Sequence, residues 1–68
     1  MLRIEIRVLG RIESHWSSWF QGLDITPTTG DETVLSGLVA DQAAVYGVIA
    51  RLRDLGLALE SVEVKREA

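Results

Sequence analysis

The sequence predicts an α+β fold, with four strands in one antiparallel sheet and two helices on one of its faces. Three observations carry that expectation. Leu2, Ile4, Ile6 and Val8 alternate with Arg3, Glu5 and Arg7, the period-two pattern of a half-buried strand. Val45, Val48, Ile49, Leu52 and Leu55 recur at helical spacing and form one apolar stripe. Turn residues divide the chain into short pieces whose order reads β-α-β-β-α-β. Two β-α-β units joined by a hairpin make the ferredoxin-like split arrangement, here one domain over residues 1–68. Right-handed crossovers put both helices on the same side. The strand order 4-1-3-2 would place the first and third strands in the centre.

The first strand runs from Leu2 to Leu9 and closes at Gly10. A short helix follows. Ser14 is its N-cap, with a hydroxyl that accepts from a free backbone N–H, and Gly22 ends it. Trp16, Trp19 and Phe20 fall on one face of that helix. Leu23 and Ile25 alternate with Asp24 and Thr26 in a short second strand, and Pro27 suits its end because it cannot donate to a ladder. Thr28-Thr29-Gly30-Asp31 is the hairpin turn. Residues 33–40 form the third strand, with Val34, Leu35, Leu38 and Val39 on both faces, as a central strand requires. Asp41 caps the long helix, Arg51 and Arg53 suit the negative end of its dipole, and Gly56 is its C′ residue. Gly47 is anomalous, since glycine costs up to ~1 kcal/mol inside a helix. Either the helix approaches the sheet closely there, or the position leaves room for a ligand or a partner chain. Residues 57–65 form the last strand, whose apolar phase slips near Glu60-Ser61. A bulge at that point or a strand beginning at Glu60 accounts for the slip.

Composition narrows the function classes. The chain has 68 residues, 47% hydrophobic and 25% charged, with seven Lys+Arg against ten Asp+Glu and a formal charge of −3. That excludes intrinsic disorder. Apolar runs of about four residues are far short of the ~20 that a membrane helix needs. An acidic balance disfavours a nucleic-acid partner, which requires a basic face. A domain of this size buries only ~60% of its unfolded surface and usually needs a brace. There is no Cys for a disulfide, and the one imidazole, His15, makes a structural metal site unexpected. Self-association is the remaining brace, so a homodimer or larger homo-oligomer is expected. Alternating charges at the N-terminus do not suit a signal peptide, and the expected compartment is the cytoplasm.

No catalytic constellation stands out. Ser18 lies three residues after His15, but a nucleophile needs an oriented base. The glycines match no phosphate loop or dinucleotide fingerprint. No cofactor, metal or catalytic residue is therefore assigned. The unusual feature is the aromatic group Trp16, Trp19 and Phe20. It caps the core, lines a subunit interface, or borders a small-molecule pocket with Tyr46 and His15. Together with Gly47, these six residues are the candidate interface or pocket.

Two blocks carry a resemblance. Trp16-Ser17-Ser18-Trp19-Phe20-Gln21-Gly22 and Asp41-Gln42-Ala43-Ala44, the latter continuing through Arg53-Asp54-Leu55-Gly56-Leu57, resemble a set of small uncharacterised prokaryotic proteins. Those proteins carry W-S-x-W-F-x-G and D-Q-A-A-x-x-G…R-D-L-G-L blocks. The resemblance implies no reaction and no assigned site. Where the set often has His before the helical glycine, this chain has Tyr46.

The expected role is a non-enzymatic homo-oligomeric module. One alternative resembles ACT-type regulatory domains, which share this element order and hold a small ligand between the first strand and first helix, near a glycine placed like Gly10; that is an analogy of fold. The other is a small dimeric α+β barrel enzyme, which would need a titratable group such as His15 in an apolar cleft.

Overall fold

The computed structural model describes residues 1–28 and 30–67. Strand β1 covers Leu2–Leu9, as its alternation predicts. A 3-10 helix, Ser14–Phe20, follows. Then come β2 (Asp24–Pro27), β3 (Glu32–Val39), helix α1 (Gln42–Asp54) and β4 (Ala58–Arg66). The result is an α+β fold with a four-stranded antiparallel sheet and two helices. The sheet order is β2-β3-β1-β4, the expected succession read from the other edge. The expected turn lies partly outside the described residues, at Thr29; Gly30 has φ 85°.

Register follows from which face is apolar. Ile4, Ile6 and Val8 stand opposite Gly37, Leu35 and Thr33 of β3. They stand opposite Val64, Val62 and Leu59 of β4. Ile4, Ile6, Val8 and Leu35 form the core with Phe20 from the 3-10 helix and Val45, Val48 and Leu52 from α1. A one-residue slip would turn this whole set to the other face, so burial fixes the pairing. Among the described residues, Thr33 is the one polar residue buried with them, and its hydroxyl donates to the Gly10 carbonyl at 2.6 Å. Leu23 crosses over Gly37, where an added Cβ would stand 3.1 Å from Leu23 Cδ2.

Helix α1 has the expected caps. The Asp41 carboxylate accepts from the Ala44 N–H at 3.0 Å. At the other end Gly56 takes φ 74°, which costs glycine little. Gly56 N–H donates to the Arg53 carbonyl and Leu57 N–H to that of Leu52, the paired bonds of a Schellman turn. Leu55 departs from the expected stripe. The helix stops at Asp54, so Leu55 sits in the cap and stays 40% exposed.

The first helix differs from expectation in two ways. Its N-cap is Glu13, not Ser14, and no side chain caps it. It is also wound as a 3-10 helix. Three residues per turn bring positions i and i+3 into line, and Trp16 and Trp19 have that spacing. The Ser17 hydroxyl donates to the Leu23 carbonyl at 2.6 Å and ties the helix to the start of β2. Gln21 closes it with φ 63°. The slipped phase of β4 is a bulge: Arg7 pairs with Ser61 but Val8 with Leu59, leaving Glu60 as the extra residue.

Candidate functional site

The aromatic segment builds a continuous column of rings. His15 and Trp16 centroids lie 5.6 Å apart, Trp16 and Trp19 5.4 Å, and Trp19 and Phe20 5.1 Å. The last two contacts are edge-on, the arrangement that ring quadrupoles favour. The column runs from solvent into the core. Phe20 is fully buried, Trp19 half-buried and Trp16 38% exposed. Arg51 of α1 lays its guanidinium 5.0 Å over the Trp19 ring, which fastens the two helices together by a cation–π contact. The His15 imidazole is exposed, with Nδ1 3.2 Å from a Glu13 carboxylate oxygen. With Ile12, Ile25, Pro27 and Thr33 it lines an open cleft of about 390 Å³.

The other two singled-out residues sit on α1. Tyr46 is 63% exposed. Gly47 faces the Gln21 side chain, whose Nε2 would lie 3.4 Å from an added Cβ. The close neighbour of Gly47 is therefore this amide, not the sheet. Beside Gly10, Leu57 Cδ2 would stand 2.6 Å from an added Cβ.

The face of the sheet away from the helices is mostly polar, with Val34 and the exposed Leu38 of β3 set among its charges. Arg3, Glu5 and Arg7 of β1 meet Lys65, Glu63 and Ser61 of β4. On the other side Glu5 meets Ser36, which meets Asp24. Arg3, Ile4, Glu5, Ser36, Glu63 and Lys65 line a depression of about 270 Å³. Arg3 Nε donates to Glu67 at 2.7 Å. Arg7 lies 3.4 Å from Glu5 and 3.7 Å from Glu32. A hydrogen bond shared with the Glu32 carboxyl raises the Glu60 carboxyl above its ordinary range. Partial desolvation and the charge of Glu32 push the same way, and Arg7 pulls it back. Among the described residues, no group of His, Cys, Asp and Glu has the arrangement of a metal site. No helix there is long and apolar enough to cross a membrane.

Both edge strands are sparsely covered: β2 has one half-buried residue, Ile25, and no buried one, and β4 is the longer of the two. Val62 is half-buried and every other residue of the strand is exposed. On the helix-bearing side Leu59 and Val64 are 46% and 40% exposed, and Leu55 lies at the adjoining end of α1.

The family described as Domain of unknown function (DUF8691) matches residues 3–63. The chain belongs to that family. The DUF8691 region takes in the ring column, β2, β3 and α1, and it stops within β4. Its description attaches no activity to any of them. No curated protein and no solved structure matches the chain.

Sequence spacing puts Trp16, Trp19 and Phe20 on one helix face, but it does not show the ring column that runs from His15 to Phe20. It missed the bare flank of β4 and the Glu32–Glu60 contact. The slipped phase at Glu60 was the available signal for both. Turning it into a surface needs the register, which a single sequence does not carry.

Proposed function

We propose that the chain is a small homo-oligomeric interaction module of ferredoxin-like architecture, not an enzyme, working in the cytoplasm. The observation that carries this reading is the bareness of β4. The longest strand of the sheet buries no side chain, although it lies beside β1, which buries Ile4, Ile6 and Val8. Uncovered apolar area of this kind marks interaction surfaces, and a domain of 68 residues has little core to spare. The element order and the strand succession support the ferredoxin-like description.

The test is mass and melting temperature against concentration. Light scattering is expected to give a multiple of 7.5 kDa at micromolar protein. The melting temperature is expected to rise with concentration, because association stabilises the folded state by mass action. A 7.5 kDa particle with a constant melting temperature contradicts the reading.

A further inference from the structure

Resting on that homo-oligomer reading, we infer that the partner is a second copy paired antiparallel along the free edge of β4, about a two-fold axis through Val64. The backbone shows which groups are on offer. Glu67 N–H donates to the Met1 carbonyl at 3.0 Å, continuing the β1–β4 register by one pair. Hydrogen-bonded pairs alternate along an antiparallel ladder. Ser61, Glu63 and Lys65 therefore turn their amides towards β1, and Val62, Val64 and Arg66 turn theirs outward. The opposite edge of the sheet is the short β2, which ends in Pro27 and is a poor template.

Charge selects the register. Within the chain, Glu63 stands directly opposite Glu5, and Lys65 directly opposite Arg3. Like charges in such positions destabilise a sheet. Among the described residues, neither Glu63 nor Lys65 makes an ion pair. A second β4 centred on Val64 sets Lys65 of each copy against Glu63 of the other, in the pairs where side chains come closest. Val64 then meets its own copy, and Val62 meets the aliphatic stem of Arg66. Centring on Glu63 or on Lys65 opposes like charges across the axis. Centring on Val62 runs the pairing into the bulge at Glu60. The Val64 register stays on the regular stretch beyond that bulge and joins two sheets into one, with the helices of both copies on the same side.

Charge reversal tests this. Glu63→Lys puts Lys opposite Glu5 within the chain, and Lys65→Glu puts Glu opposite Arg3. Each single change therefore improves the isolated fold while opposing like charges across the axis. Each is expected to weaken the dimer by about tenfold, because the two-fold axis repeats the clash. The double variant Glu63→Lys/Lys65→Glu restores opposite charges and is expected to bring the dissociation constant back, all read by sedimentation at low salt. An oligomer indifferent to the single changes, or not rescued by the double, overturns the β4 register and leaves the homo-oligomer reading standing. A monomer at every concentration overturns both.

Discussion

Leu23 occupies the space that a side chain at position 37 would need. Gly37 also has φ 149°, where a Cβ is strained. Gly37→Ala is therefore expected to destabilise the fold by about 1–3 kcal/mol, measured by urea unfolding. Phe20 is the largest fully buried side chain and the inner end of the ring column. Phe20→Ala is expected to cost about 3–5 kcal/mol, a large share of the stability of so small a domain. Glu60 gives a pH dependence whose sign is fixed. Its folded pKa lies above its unfolded value, because the folded state holds it against Glu32. The stabilisation from the protonated form is fully present below the unfolded pKa and is lost as pH rises through the folded one. Glu60→Gln is expected to remove that decline just above the ordinary carboxylate range, seen as a flatter curve of melting temperature against pH.

At the scale of elements, α1 was the most legible part of the chain. Its caps at Asp41 and Gly56 depend on local chemistry that a sequence displays directly. Asp41→Ala is expected to cost about 1 kcal/mol, with helical signal at 222 nm lost earlier on heating. β1 was legible to the residue for the same reason, since period-two alternation is local. The first helix was legible in place but not in winding. Its cap lies at Glu13 and its winding is 3-10, while Ser17 bonds to Leu23 just before β2, a contact that depends on where β2 begins. Leu55 was read into the apolar stripe because spacing does not show where a helix stops. The candidate residues divide in the same way. Phe20 and Trp19 pack inward, whereas His15, Trp16 and Tyr46 stay exposed, and only the fold separates the two groups.

For the whole molecule, the two broad sides of the sheet have different fates. One is sealed by the two helices over β1 and β3. The other carries rows of charge, and at its β4 end the rows meet like against like. Sequence alternation revealed that the second face is mostly polar, but not that Glu5 faces Glu63 or that Arg3 faces Lys65. Those neighbours depend on a register set across residues more than fifty positions apart. On the proposed reading, a second copy completes the sheet along the bare β4. Amide hydrogen exchange tests this most directly, residue by residue along β4. The outward amides of Val62, Val64 and Arg66 are expected to be protected at high protein concentration and to lose protection on dilution. The inward amides of Glu63 and Lys65 stay protected by β1 throughout. Free exchange at Val62, Val64 and Arg66 at every concentration, with β1 still protected, would contradict the account.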